Sequence, residues 1–322
     1  MSDQPVIVSP SSAERAGGKY SKDSLRRAIE GLNRDGVIYL DNIVDPAHVE
    51  KLRLAMLDEA KILKAKKGND VSQYNQGVAT NFIQSPPLTN QSLFFEDVYA
   101  NPFVHQVVSY YLGPFPSWTF ITGNNANKQT TDRQAVHKDS SFIHPLAPSI
   151  IIANFPLCEF SPENGSTEMW LGSHATTDPG DQMWPAQYPT SQAPLCFIRP
   201  ELVEERRKVR PPIQIACKPG GVMLRDQRIW HAGMPNASNE DRIMLAMMFT
   251  AAWFPNDRKF KLPYFAKEIL ESKPLAVNVQ AEYVSEAECE ESLHQWGSGI
   301  QPSDPNYRSL WEVAQLKNSL KV

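Results

Sequence analysis

The stretch RQAVHKDSSF, residues 133–142, sets His137 and Asp139 one residue apart. If the chain is extended there, the two side chains share a face and Lys138 turns to the other. An imidazole and a carboxylate at that spacing offer a metal two neighbouring ligand atoms. The same pair also makes an ordinary polar patch on a wet strand, so a third ligand has to decide. His48 and His105 lie in helical stretches and His294 in the acidic run EAECEESLHQW, where surface or capping roles are expected. His174 follows a Gly-Ser turn, and His144 is near enough to the pair to line the same pocket. His231 stands apart because it closes KPGGVMLRDQRIWH. Eleven residues later Arg242 opens the apolar run IMLAMMF. A buried strand that begins on arginine needs an anion for the guanidinium to meet.

The elements that must position these residues change character along the chain. SKDSLRRAIEGLNRDG spaces Leu25, Ile29 and Leu32 on one helical face and stops at Gly36; GVIYLDNIV then reads as a short buried strand. Asp45-Pro46 and Asn101-Pro102 each open a helix with a capping side chain and a proline at the first turn. The first carries Val49, Leu52, Met56 and Leu63 inward, the second Phe103, Val107, Val108 and Tyr111. From about Ser117 onward, short β-like runs such as WTFITG, AVHKDSSF, SIIIANFPL, GVMLRD and IMLAMMFTAAWF alternate with Gly, Pro and Asn turns. That texture predicts a mainly β, α+β fold: a jelly-roll with helices packed outside it. Residues 1–20 read as a flexible tail and 21–322 as a single domain. Within it, 21–115 is helical, 116–255 the jelly-roll and 256–322 a C-terminal extension. Two long segments, 70–92 and 174–211, carry aromatics among prolines. Tyr74, Phe82, Trp184 and Tyr188 in them are expected to wall an apolar substrate pocket beside His144, or else to pack as core.

The chain has 322 residues, 21% of them charged, with a net charge of −4. That balance gives no reason to expect nucleic acid or an anionic membrane surface as a partner. No run is long and apolar enough to span a bilayer, and the N-terminus has no secretory h-region, so a cytoplasmic protein is expected. The four cysteines form no C-x-x-C pair, which fits a reducing compartment.

His137-x-Asp139, a distant His231 and Arg242 together resemble the phytanoyl-CoA dioxygenase-like family of Fe(II)/2-oxoglutarate-dependent oxygenases, whose fold is the cupin-like double-stranded β-helix. Four further pieces fall in the family's order: LNRDGVIYLDNIV, RQAVHKD, ENGSTEMWLGSH and KPGGVMLRDQRIWHAG. Leu171 stands where the family usually has proline, and Gly221 where an acid is common; both are turn positions. The resemblance, over roughly residues 24–254, implies Fe(II) held by His137, Asp139 and His231, with 2-oxoglutarate and O₂ as cosubstrates. Two histidines and one carboxylate on one face of a metal leave positions open for both. It implies Arg242 for the far carboxylate of 2-oxoglutarate, since an arginine offers a planar, always-charged fork. Gln134 and Thr167 would add hydrogen bonds to the cosubstrate. The retained Asp139 argues for oxygenation, desaturation or rearrangement of a small molecule over halogenation. Members of this kind tailor secondary metabolites, and a homodimer is compatible with the family. An acyl-CoA hydroxylase is the alternative that Arg206, Arg207, Lys208 and Arg210 would serve, though such a run more often forms a solvated helix face. A non-catalytic partner subunit that keeps the fold is a third reading.

Overall fold

The N-terminal residues differ from the tail expected of them. In the computed structural model, which describes residues 4–67, 74, 81–139, 147–177, 179–183, 197–254, 256, 259–272 and 275–293, Val6–Val8 (β1) pairs in parallel with Val37–Leu40 (β2). Ser12–Gly17 (α1) is closed by a capping box in which the Ser11 and Glu14 side chains satisfy each other's backbone N–H groups. Composition could not reveal this, because the strand's partner lies about 30 residues further on.

The three predicted helices form, and their caps explain where. Lys22–Asp35 (α2) starts on Ser21 and ends at Gly36, whose φ of 77° suits glycine. Pro46–Lys67 (α3) starts on Asp45, whose carboxylate accepts from the Ala47 N–H at 2.8 Å. Its predicted stripe of Val49, Leu52, Met56 and Leu63 is buried. A short Glu96–Tyr99 helix (α4) precedes Pro102–Leu112 (α5), where the Asn101 side chain accepts from the N–H groups of Phe103 and Val104. His105 on α5 is buried, not at the surface as expected; burial pushes it down to about 4.

Behind these helices stands an eight-stranded sheet. To β1 and β2 it adds Asn81–Gln84 (β3), Ser117–Ala126 (β4) and Ile150–Pro156 (β5). A second, small sheet contains Glu168–Met169 (β6), and Gln182–Met183 (β7) pairs separately with Phe197–Ile198 (β8). After Pro200–Val209 (α6) come Ile213–Gln214 (β9), Val222–Asp226 (β10), His231–Ala232 (β11) and Met244–Thr250 (β12). The chain continues with Phe260–Pro263 (β13), Tyr264–Glu271 (α7), Asn278–Val279 (β14), Ala281–Val284 (β15) and Glu286–Leu293 (α8). The large sheet runs β1-β2-β10-β5-β12-β4-β14 with β3 on β4, and the small one runs β11-β6-β9. They form the predicted jelly-roll with helices outside, without closing into a barrel among the described residues.

Alternation divides the large sheet into two buried faces. Leu224, Ile151, Ala153, Leu245 and Met247 face out into the core shared with α2 and α5. Met223, Arg225, Ile152, Asn154, Met244 and Met248 occupy the alternate, inner positions. Burial on both sides is why SIIIANFPL and IMLAMMF read as unbroken apolar runs. The C-terminal elements join the same outer core through Leu262, Val284 and Leu293. Truncating a fully buried member such as Leu245 to alanine costs about 2–5 kcal/mol.

Candidate metal centre

His137 and His231 sit opposite each other as a hydrogen-bonded pair, His137 N–H to His231 O at 2.9 Å and the reverse at 2.8 Å. Directly opposed residues point to the same face, so the two rings come together, 4.2 Å between centroids. Among the described residues of AVHKDSSF, which end at Asp139, the expected strand is reduced to isolated bridges at His137, to His231 and to Phe197. The chain then leaves the sheet, and Asp139 reaches the site from a loop and not from the next in-facing strand position. Lys138 does turn away, as predicted. It is fully buried and donates to Thr177 Oγ1 at 2.8 Å.

The backbone fixes which ring nitrogen is available. His137 Nδ1 lies 2.9 Å from the Ala135 carbonyl and His231 Nδ1 lies 3.0 Å from that of Ile229. A carbonyl only accepts, so each Nδ1 carries the proton, and in the neutral ring Nε2 holds the lone pair. Those Nε2 atoms face Asp139 Oδ1 at 3.6 and 3.4 Å. Burial, with the neighbouring His231 ring, pushes His137 down to about 3, so it is neutral. Burial alone would raise the Asp139 carboxyl, but the Arg225 guanidinium and the imidazoles hold it well below the usual range. Three electron-pair donors within 4.8 Å of one another, one of them anionic, make a site for a cation.

Arg225 on β10 touches the site and was not singled out from the sequence. Its Nη2 donates to Asp139 Oδ2 at 2.6 Å and its Nε to Asn154 Oδ1 at 3.1 Å. With Oδ2 engaged, Oδ1 is the oxygen turned to the imidazoles. The signal that singled out Arg242, an arginine inside an apolar strand, was present at Arg225 too.

Arg242 is 2% exposed, and its Nε and Nη1 have no partner. Its guanidinium lies over the Phe160 ring at 4.5 Å. Burial pushes it down to about 10, with only the thiols of Cys158 and Cys217 acting against that. Phe160 and Cys217 belong to the apolar cluster that includes Met169. Met169 is the strand partner of His231, so this cluster joins Arg242 to the His-Asp-His site. An unpaired buried guanidinium next to an apolar wall fits a carboxylate ligand.

A sequence profile of the phytanoyl-CoA dioxygenase (PhyH) family matches residues 32–244. The chain belongs to that family. It is an Fe(II)/2-oxoglutarate-dependent oxidoreductase, with iron and 2-oxoglutarate as its cofactors. Two solved structures share the fold. AviO1 from Streptomyces viridochromogenes Tue57 is 17% identical with a TM-score of 0.50, over 74% of this chain and 99% of its own. The epimerase SnoN, in complex with Fe3+, alpha ketoglutarate and nogalamycin RO, is 17% identical with a TM-score of 0.51, over 72% of this chain and 85% of its own.

The other residues predicted for this phytanoyl-CoA dioxygenase family member divide. Gln134 is buried beside the site. Its Oε1 accepts from Gly233 N–H at 2.7 Å, which makes Nε2 the donor end of the amide. A Cβ at Gly233 would come within 2.6 Å of both Gln134 Oε1 and Asn81 Nδ2, so a side chain there would displace the Gln134 amide. Thr167, half-buried, stands two residues before Met169 and so shares the face of His231. Phe82 corrects an expectation. It packs against Ala60 and Leu63 of α3, with Tyr74 edge-on at 5.6 Å, and so belongs to the core beneath α3 and not to the pocket. The reason is pairing: Asn81–Gln84 joins the large sheet at Ser117–Ala126, which turns Phe82 onto α3. His144, Trp184 and Tyr188 lie outside the described residues. The apolar wall on the inner face is instead Ile150, Ile152, Ala246 and Met248, with Phe120 and Phe254 packed on it.

Proposed function

We propose that the chain oxidises a largely apolar small molecule in secondary metabolism, by hydroxylation, desaturation or oxidative rearrangement. His137, Asp139 and His231 hold the iron, and Arg242, Gln134 and Thr167 hold 2-oxoglutarate. The observation that carries this reading is Arg242, a fully buried guanidinium with two nitrogens unpartnered among the described residues, linked to the His-Asp-His cluster through Phe160 and Met169. When bound, iron(II) and 2-oxoglutarate supply the O₂-activating chemistry. The protein's share is to hold the chelate, aim the substrate and exclude water. Nδ1 bonds to Ala135 and Ile229 lock both imidazoles, and Arg225 locks the carboxylate, so the ligand set is oriented before a metal arrives. The apolar wall of Ile150, Ile152, Ala246 and Met248 suits a hydrophobic substrate.

SnoN, which binds the small molecule nogalamycin RO, supports a secondary-metabolic role on the shared fold. An acyl-CoA substrate is less well supported, because the basic cluster on α6 is engaged. Arg206 donates to the Leu171 carbonyl at 2.6 Å, Arg207 stacks on Trp170 at 4.8 Å, and Arg210 pairs with buried Asp35 at 3.0 Å. Those contacts fasten α6 to the jelly-roll.

The test needs no substrate. Under anaerobic conditions, Fe(II) with 2-oxoglutarate should give a visible charge-transfer band in the wild type that His137→Ala abolishes. A wild-type protein that binds neither iron nor 2-oxoglutarate refutes the reading.

A further inference from the structure

Arg242 is not the only buried arginine with an open donor on the inner face. Arg225 has a side chain 9% exposed, and its Nη1 has no partner among the described residues. The amide it touches, Asn154, gives Oδ1 to Arg225 Nε and leaves Nδ2 buried and unpartnered. Two N–H donors therefore emerge from one rigid pair. Leaving a buried donor unpaired costs on the order of 1–3 kcal/mol, and more for a charged one, so the arrangement calls for an acceptor.

Register separates Arg225 from Arg242 along the sheet. Arg225 lies opposite Ile152, and Ile152 opposite Met248. Met248 is six residues along the chain from Arg242, roughly 20 Å at ~3.3 Å per residue. Ile152 and Met248 belong to the apolar wall of the substrate side, whereas Arg242 lies against the Phe160 cluster. A cosubstrate that runs from the metal to Arg242 leads away from Arg225. Charge points the same way. With a divalent metal, two arginines, one aspartate and a dianionic cosubstrate assembled, a single positive charge is left over. A monoanion neutralises it.

We propose that Arg225 and Asn154 form an anion-holding subsite on the substrate side of the metal, and that the substrate is an apolar molecule bearing one carboxylate. The Arg225 fork then bridges two carboxylates, Asp139 through Nη2 and the substrate through Nη1, while Asn154 Nδ2 donates to the second substrate oxygen. That bridge sets the substrate's distance from the metal as well as its affinity. The inference rests on the oxygenase reading and deepens it.

The experiment uses the full chain loaded with Mn(II) and N-oxalylglycine, a non-reacting analogue that fills the Arg242 end. Binding of the analogue is measured first by calorimetry; its failure counts against the oxygenase reading and not against the subsite. The loaded protein is then titrated with 4-phenylbutyrate and with its neutral amide, 4-phenylbutyramide. The acid should bind about tenfold or more tightly than the amide, the scale of one charge-assisted hydrogen bond. Asn154→Asp, nearly isosteric, puts a negative charge on the subsite and should erase or invert the preference. Arg225→Lys keeps a cation for Asp139 but loses the fork, and should reduce it. Melting curves confirm that both variants are folded. Equal binding of acid and amide by the wild type, including binding of neither, overturns the proposal. So does a preference that survives Asn154→Asp.

Discussion

Two buried arginines stand near the metal cluster, one touching Asp139 and one linked to it through Phe160 and Met169, and they differ in how much of each is already used. Among the described residues Arg242 has no carboxylate partner, and it rests on an aromatic ring. Arg225 spends two nitrogens on Asp139 and Asn154 and keeps one open. A wholly unpaired guanidinium suits a ligand that arrives on every turnover and brings its own charge. A half-paired one does two jobs, as it orients a metal ligand and still presents a donor. Reading both as structural salt-bridge residues would leave the open nitrogens unexplained, since buried polar groups are normally satisfied.

The largest expected effect breaks the Arg242 end. Arg242→Met removes a charge-assisted fork that contributes about 1.5–3 kcal/mol per bond, so kcat/KM for substrate-free conversion of 2-oxoglutarate to succinate should fall by roughly 100-fold or more. A fall of only a few-fold would mean that another cation holds the far carboxylate. Next in size is Arg225→Met, which frees Asp139 Oδ2. Loss of such an orienting partner typically lowers metal affinity about 10–100-fold, and equilibrium dialysis against Mn(II) would register it. The same dialysis on Arg242→Met should show little change, which separates the two ends.

The smallest effect concerns stability without ligands. Burial holds Arg242 at about 10, below its ordinary 12.5. A cation whose folded value is depressed weighs on the fold below the folded value, and the burden lifts only as pH rises through about 10. Ligand-free Arg242→Met should therefore melt no lower than wild type, by an offset that stays constant from about pH 7 to 9. Saturating 2-oxoglutarate with Mn(II) should reverse the order, because only the wild type gains from binding. A variant that melts well below the ligand-free wild type would mean that Arg242 has a structural partner.

How much of this was legible in the sequence depended on whether the signal was local. Caps and periodicity placed α2, α3 and α5, because Ser21, Asp45 and Asn101 act within a few residues of themselves. The ligand set was legible because its residue types are rare in combination and their order matched a family. Register and long-range pairing were not legible. Nothing around Val6–Val8 announces a partner at Val37–Leu40. Phe82 reads as a pocket aromatic until its strand is seen to turn it against α3. His105 reads as a surface histidine until α5 is docked and its ring meets Phe249 edge-on. Arg225 needed both kinds of knowledge: the pairing with Ile152 that turns it inward, and the departure of the chain from the sheet after His137 that brings Asp139 to it.

The division of labour between the two arginines has one direct measurement. N-oxalylglycine is titrated calorimetrically into Mn(II)-saturated wild-type, Arg242→Met and Arg225→Lys proteins. Affinity should fall by about 100-fold or more in Arg242→Met and stay within about threefold of wild type in Arg225→Lys. Comparable losses in both, or the larger loss in Arg225→Lys, would place the cosubstrate at the wrong end and contradict the account.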